Sequence, residues 1–329
     1  MDAKTQGNLV HAAVFIALIL ALSFVVVHFN VVSCSFYSSV GCDIYYSLVA
    51  GGKPKILIVQ GNEGMGDPEF LYNTLRSPRF SARVSIRDLD VVSLPVLLDY
   101  QLVIVEKARK MGIDEIRMFQ DYAVRGGRLV WIGDAGTQGI SGESDVNYFL
   151  KDNQRAASGK DEYLGPWARR SGDRQVSLDY TLGVQYKGNY CEIAKCVQGT
   201  EPEYTGNFDF VDREHKLVFG LGQNLPFYGD FSIVGLSGDA RQNSAAYIDF
   251  GSGLIGTPPQ EYFWLKNERQ NLGNEFPVVV SSGVGEKVAY YAFPPEFFVS
   301  EKMPLDERTG ERIAYWALLE NMYYGMLYK

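Results

Sequence analysis

Two side chains have the chemistry of a hydrolytic site, provided that the fold brings them together. Asp134 follows a short apolar run in a turn, where a carboxylate can act as a nucleophile. His215 is the one histidine after residue 32, and an imidazole can serve as general base near neutral pH. Together they would allow a divergent envelope hydrolase, which is the alternative function. The interpretations that we favour are structural: Asp134 caps the turn or helix that follows, and His215 orders its own loop.

A glycine-rich loop, Gly61–Gly66, follows the first apolar run of the globular part. Backbone N–H groups in such loops can bind phosphate, but Glu63 would repel it and no lysine follows. The spacing is also not Gly-x-Gly-x-x-Gly, so we interpret the segment as an ordinary loop. Ligands of open α/β sheets bind beyond the carboxyl ends of the strands. There we expect a ligand crevice lined by Gly61, Asn62, Glu63, Asp134 and Thr137.

Other reactive patterns are weaker. Gly235–Asp239 nearly matches the turn of a nucleophilic serine at Ser237, but its last glycine is missing and no clear strand precedes it. The scattered acidic residues do not follow the spacing of a calcium-binding loop, and we interpret them as a solvated surface. The sequence therefore predicts neither a metal nor a cofactor.

The four cysteines form two local pairs, Cys34 with Cys42 and Cys191 with Cys196. Two disulfides in an oxidising compartment fit this placement, and four reduced thiols are the alternative. A zinc site fits less well, because neither pair has the Cys-x-x-Cys spacing.

Composition excludes two broad classes. Hydrophobic residues make up 46% and charged residues 21% of the 329 residues, a balance typical of a globular protein and not of a disordered one. Lys and Arg number 31 against 39 Asp and Glu, which gives a net charge of −8. A general nucleic-acid binder needs a basic face, so nucleic acid is not an expected partner.

The elements that must position these side chains alternate between strand and helix. This order predicts a doubly wound, mostly parallel, flavodoxin-like α/β sheet. Strands are predicted at 55–59, 82–89, 102–106 and 128–133, and helices at 68–76 and 114–124, the second with Asp114 near its cap and Gly126-Gly127 at its end.

The second half is less regular. Residues 140–215 are polar and read as an irregular insertion, with a strand-like run at 175–182. Two strands, 278–282 and 287–293, flank Gly283-Val284-Gly285, and a final helix is predicted over 311–327. We expect the aromatic residues of that helix to pack in the core.

The N-terminus carries the strongest compositional signal. No Asp, Glu, Lys or Arg occurs between Lys4 and Asp43, a run of 38 residues, and residues 9–32 are long and apolar enough to cross a membrane. An uncleaved signal anchor, a cleaved signal peptide and a lipoprotein signal with Cys34 as the lipidated residue all remain open, and we favour the anchor. The predicted domains are an anchor at 1–32, a linker at 33–52 and a globular part at 53–329. Charge placement favours a cytoplasmic N-terminus and a globular domain on the outer, oxidising side.

The order of these elements resembles the class I glutamine amidotransferase-like fold, in its non-catalytic, membrane-associated branches. These branches include the domain of gliding-motility and intraflagellar-transport proteins and the 48-kDa subunit of oligosaccharyltransferase. The resemblance runs from about Lys53 to the C-terminus. It is carried by Lys55–Val59, Tyr122–Gly133, Asp212–Leu221, Gly285–Tyr291 and the closing helix around Asn321.

The resemblance implies a nucleophilic cysteine after the Gly-Gly strand and a His-x-Glu pair near the C-terminus. Here the turn reads Ile132-Gly133-Asp134-Ala135-Gly136-Thr137, without cysteine or serine, and His215 lies in a different loop. We therefore expect a pseudoenzyme rather than an enzyme. The predicted function is a membrane-anchored, non-catalytic ectodomain that binds a protein or glycan partner as a subunit of an envelope complex.

Overall fold

A computed structural model describes most of the globular part of the chain and a helix at its N-terminus. The described residues are 3–28, 52–77, 79–80, 82–140, 165–194, 196, 204–222, 225–237, 242–249, 264–265, 270–271, 275–306 and 308–328. The predicted linker except Gly52, both Cys34 and Cys42, and residues 141–164 of the predicted insertion lie outside them.

The strands and helices are numbered here in chain order. The strands are β1 Lys55–Glu63, β2 Arg83–Asp88, β3 Leu102–Ala108, β4 Leu129–Ile132, β5 Ala168–Ser171, β6 Arg174–Ser177, β7 Val184–Asn189, β8 Tyr204–Phe210, β9 Leu225–Tyr228, β10 Ser232–Leu236, β11 Gln242–Asp249, β12 Trp264–Leu265, β13 Gln270–Asn271, β14 Glu275–Ser282 and β15 Val288–Tyr291. The helices are α1 Ala3–His28, α2 Pro68–Arg76, α3 Leu94–Leu98, α4 Ile113–Val124, α5 Leu178–Leu182, α6 Tyr190–Ala194 and α7 Trp316–Tyr328, with short 3-10 helices at Leu89–Val91 and Pro295–Val299.

A nine-stranded sheet in the order β2-β1-β3-β4-β15-β14-β11-β8-β9 organises the domain. The first five strands are parallel, and their order reproduces the flavodoxin-like pattern that the sequence predicts. The remaining four strands add antiparallel, starting from the β14–β15 hairpin around Gly283. The α/β class with a mixed, mostly parallel sheet is therefore confirmed: five adjoining strands are parallel, and four antiparallel strands extend the sheet on one side.

Continuous apolar runs place the central strands in the core. Residues 56–59 of β1, 102–105 of β3 and all of β4 are buried, because parallel strands are covered on both faces. The antiparallel half has an aromatic core instead. Its rings pack with centroids 5.0–5.4 Å apart, among them Phe208, Phe227, Phe293 and Phe298.

Several predicted boundaries shift for identifiable reasons. Gly112 rather than Asp114 occupies the N-cap of α4, and the Asp114 side chain instead lies 2.9 Å from Arg174. The run 175–182 divides into β6 and α5. The final helix begins at Trp316 and not at residue 311, since the N–H groups of Ile313 and Tyr315 bond to Pro304 and Phe298 carbonyls outside the helix.

Helix α1 covers much of the predicted anchor, whereas residues 29–32 and several side chains of α1 lie outside the description. Taken over the described residues alone, no helix is both long and apolar enough to span a membrane.

Gly127 provides a test of the packing at the end of α4. A Cβ at this position would overlap the ring of Tyr122, which is buried and donates from its hydroxyl to the Tyr100 and Arg128 carbonyls at 3.3 Å. Gly127→Ala should therefore lower the free energy of unfolding by about 1–3 kcal/mol, as overpacking of a core does. The measurement is urea unfolding of the full chain in mild detergent.

The matched control is Gly222→Ala, because a Cβ there has no heavy atom within 4 Å among the described residues. This substitution should be neutral or stabilise by about 0.4–1 kcal/mol through the unfolded chain. If the two variants unfold at the same urea concentration, the packing of Tyr122 against Gly127 is not as described.

Candidate functional site

Asp134 lies two residues after the end of β4, at the carboxyl ends of the parallel strands, and is fully buried. Its Oδ1 accepts the N–H of Met65 at 2.8 Å. Its Oδ2 accepts from Arg109 Nε at 2.5 Å and from Asn189 Nδ2 at 3.2 Å, and Arg109 adds an ion pair through its second nitrogen. Both oxygens of the carboxylate are thus engaged, and the group joins the loops after β1 and β3 to the last residue of β7.

Glycines let the neighbouring loop approach this carboxylate. Gly64 has a φ of +122°, and a Cβ there would lie 2.9 Å from Asp134 Oδ1. Gly133 has a φ of +57°, and a Cβ there would lie 3.0 Å from Met65. Only glycine adopts these conformations without strain. The glycine-rich loop that we interpreted as ordinary therefore has a specific role, which is to bring the Met65 N–H onto Asp134.

The expected cap at Asp134 takes a different form. Its carbonyl oxygen, not its carboxylate, holds the following turn, by accepting from Thr137 Oγ1 at 2.8 Å and from Thr137 N at 3.2 Å. Asp134 thus orders both its own turn and the β1 loop, and Thr137 acts as the local cap.

Asn189 extends the contacts of Asp134 into a buried polar network. Its Oδ1 accepts from Tyr186 Oη at 3.0 Å and from Ser232 Oγ at 2.9 Å. Burial raises the pKa of Tyr186 far above its ordinary value, and the charge of Asp134 raises it further. Tyr186 is therefore neutral at physiological pH and donates to Asn189, which in turn donates to Asp134.

His215 lies towards the other end of the sheet. Its Nε2 is 2.9 Å from Oγ of Ser281 on β14. Ser281 pairs with Ala289 on β15, and Ala289 pairs with Val130 on β4. Asp134 follows Val130 by four residues, a separation of roughly 13 Å at the rise of an extended strand. The structure does not bring Asp134 and His215 together, and this corrects the prediction of a hydrolytic pair.

The contacts of His215 are those of a loop-ordering residue. Its Nδ1 accepts the N–H of Leu217 at 3.2 Å, so the proton is on Nε2, which donates to Ser281. Burial lowers the pKa of His215, although Glu286, 3.3 Å from Nε2, opposes this effect. A neutral imidazole with both nitrogens engaged has no free base for catalysis.

The predicted crevice divides into two places. Gly61, Asn62 and Glu63 line an open cavity of about 390 Å³ together with Asp88 and Asp90 of the β2 end, Glu115 and Lys110. Asp134 and Thr137 are not in its wall. The cavity lies between the ends of β1 and β3, where the strand order reverses, as ligand sites in this topology do.

The other residues that the sequence singled out have structural rather than reactive surroundings. Cys191 and Cys196 form a disulfide, as predicted for this pair. Ser237 follows β10, so a strand does precede it, but its hydroxyl is buried. Among the residues that the structure describes, no three His, Cys, Asp or Glu side chains are grouped to hold a metal ion.

A pair of buried glutamates was not predicted from the sequence. Glu106, on β3, and Glu296, just after β15, are 0% and 1% exposed. One signal was available for the second. The chain beyond the last strand reads Phe293-Pro294-Pro295-Glu296, which has the spacing of the expected His-x-Glu pair with Pro294 in place of the histidine. Arg109 and Asn189 carried no comparable signal.

Comparison with known proteins shows only a low level of structural similarity. No family model matches the sequence, and no curated protein is significantly similar to it. Among solved structures, a ThuA-like protein from Bacteroides uniformis shares 15% identity, covers 83% of this chain and 92% of its own, and has a TM-score of 0.46.

Two further solved structures are similar at a comparably low level. The N-terminal domain of IFT52 shares 14% identity over 73% of this chain and 86% of its own, with a TM-score of 0.39. A glutamine amidotransferase from Thermotoga maritima shares 13% identity over 74% and 76%, with a TM-score of 0.36. At TM-scores below 0.5 these likenesses identify neither a family nor an activity for this chain.

Proposed function

We propose that this protein is a membrane-anchored, amidotransferase-like ectodomain that acts by binding a protein partner in an envelope complex, and not by catalysis. The observation that carries the proposal is the state of Asp134, which occupies the turn where the resemblance implies a nucleophile. Its two oxygens are held by Met65, Arg109 and Asn189, and it has no exposed surface. A nucleophile needs an accessible lone pair, so this carboxylate acts as a structural group.

The residue that would assist such a nucleophile is also replaced. Pro294 has no proton-transferring group, and His215 is engaged towards the other end of the sheet. Both facts favour binding over acyl transfer.

The partner site we propose is the 390 Å³ cavity at the carboxyl ends of the strands. Its wall contains the carboxylates of Glu63, Asp88, Asp90 and Glu115 and a single lysine, Lys110, which is paired with Glu63 at 2.7 Å. Such a wall attracts a basic segment of a protein more strongly than a neutral glycan, which is the alternative partner.

The anchor is supported by the uncharged run and by the surface of α1. Seven large apolar side chains of this helix are 48–64% exposed: Val14, Phe15, Ile16, Leu18, Ile19, Leu22 and Val25. Apolar surface of this extent fits a lipid environment. The disulfide between Cys191 and Cys196 favours the oxidising side of the membrane for the globular domain.

The catalytic part of the proposal is tested by assaying release of ammonia from glutamine and from peptide amides by the full chain in mild detergent. We expect no turnover above buffer, either for the natural protein or for Asp134→Asn, which keeps the side-chain volume. Turnover by the natural protein that the folded Asp134→Asn variant lacks would refute a binding-only role.

The binding part is tested by cross-linking and purification from native membranes. Asp90→Lys reverses a charge in the cavity wall and should reduce partner recovery at least tenfold. The control, Glu311→Lys, reverses an exposed charge outside that wall and should leave recovery unchanged. Equal recovery with both variants would place the partner elsewhere, and a glycan as the recovered species would favour the alternative partner class.

A further inference from the structure

A second cavity, of about 480 Å³, lies on a different part of the domain. Its wall comes from the start of α2 and the loop before it, with Gly66, Asp67 and Phe70, and from the segment after β15, with Pro294, Glu296 and Phe297. None of these residues belongs to the cavity proposed for the protein partner, so the two sites are independent.

Buried carboxylate oxygens without partners distinguish this cavity. Glu296 Oε1 accepts the N–H of Asp67 at 2.9 Å, but Oε2 is buried with no hydrogen-bond partner among the described residues. Both carboxylate oxygens of Glu106 are in the same condition. A Cβ at Gly66 would lie 2.8 Å from Glu106 Oε2, so Glu106 lies directly behind the cavity wall.

Buried polar groups in proteins are normally hydrogen-bonded, and leaving one unpaired costs about 1–3 kcal/mol. Burial raises the pKa of Glu106, so this acid can keep its own proton. The unpaired Oε2 of Glu296 belongs to the cavity wall, so a donor that enters the cavity can pair with it. Within the described residues no three side chains are grouped for a metal, and an organic donor is the better fit.

We propose that this cavity binds a small primary amine, with its ammonium group at the Glu296 carboxylate. An ammonium group carries three N–H donors and the charge opposite to that of Asp67 and of the ionised Glu296. The rings of Phe70 and Phe297 and the ring of Pro294 provide an apolar wall for the body of the ligand.

The charges around Glu296 act in both directions. Asp67 favours a bound cation, whereas Lys302, in the cavity wall, opposes it. The proposal therefore specifies a ligand with one ammonium group and an uncharged, preferably aromatic, body.

Benzylamine is a suitable probe, and benzyl alcohol is its uncharged counterpart. Calorimetry with the full chain in mild detergent at pH 7 should show saturable benzylamine binding, with benzyl alcohol at least tenfold weaker. Glu296→Gln keeps the acceptor for the Asp67 N–H and should weaken benzylamine binding at least tenfold. Glu311→Gln removes an exposed charge outside this wall and should change affinity less than twofold.

A second measurement does not depend on any variant. Because burial raises the pKa of Glu296 to about 7, an ammonium group that binds there should displace its proton. Calorimetry of the natural protein in buffers of different ionisation enthalpy should show release approaching one proton per benzylamine at pH 6 and little at pH 8.5. No saturable binding, equal binding of benzyl alcohol, full binding by folded Glu296→Gln or no proton release at pH 6 would each overturn the proposal.

Discussion

Replacing Asp134 by alanine is expected to lower the free energy of unfolding by about 3–5 kcal/mol, the range for breaking a buried ion pair by removing one partner. The substitution leaves the Met65 N–H without its acceptor and removes the carboxylate from Arg109 and Asn189. Asp134 has no exposed surface, so water cannot replace these contacts without rearrangement. Urea unfolding of the full chain in mild detergent measures the loss.

An exposed ion pair between the same two loops is the control. Glu63 and Lys110 are 2.7 Å apart, but each side chain is more than half exposed. Glu63→Ala should therefore change the free energy of unfolding by no more than about 1 kcal/mol. If Asp134→Ala were as mild as Glu63→Ala, Asp134 would not hold the loops together, and the main support for its structural role would be lost.

The parallel half of the sheet was predictable because its strands are buried on both faces. Residues 56–59 and 102–105 are continuous apolar runs, and the Gly126-Gly127 step marks the helix end without ambiguity. The antiparallel half was not predictable in this way. In β8 buried and exposed positions are mixed, and β11 contains Gln242, Asn243 and Ser244, so neither has the pattern of a buried strand.

The sequence predicted the site residues only where the interacting residues are close together in the chain. The disulfide joins Cys191 and Cys196, five residues apart. Asp134 was recognised as a candidate, but its partners Met65 and Asn189 are 69 and 55 residues away, and nothing local to any of them indicates the pairing. The Glu106–Glu296 pair depends likewise on β3 and β15 lying in one sheet.

The stability of the fold should depend on pH through Glu296. Its pKa is raised from 4.5 to about 7, mainly by burial and also by the charge of Asp67, against the opposing effects of the Asp67 N–H and Lys302. Between these two values the folded state binds more protons than the unfolded one, so the stability contributed by the protonated group is lost as pH rises towards and above 7. The difference, 7 − 4.5 = 2.5, corresponds to about 3 kcal/mol at 1.36 kcal/mol per pKa unit.

Glu296→Gln isolates this contribution, because the amide is uncharged at every pH and keeps the acceptor for the Asp67 N–H. The variant should be more stable than the natural protein by no more than about 1 kcal/mol at pH 5 and by about 3 kcal/mol at pH 8. Titrating groups that do not interact with Glu296 act in both proteins and cancel in the difference. The charge of Glu296 also raises the pKa of Glu106, so its removal adds to the difference in the same direction. Glu301→Gln, at an exposed position, should show no such divergence. A gap between natural protein and Glu296→Gln that stays constant from pH 5 to pH 8 would mean that Glu296 is solvated and ionised in the folded state. In that case the unpaired carboxylates that define the amine cavity would be absent as well.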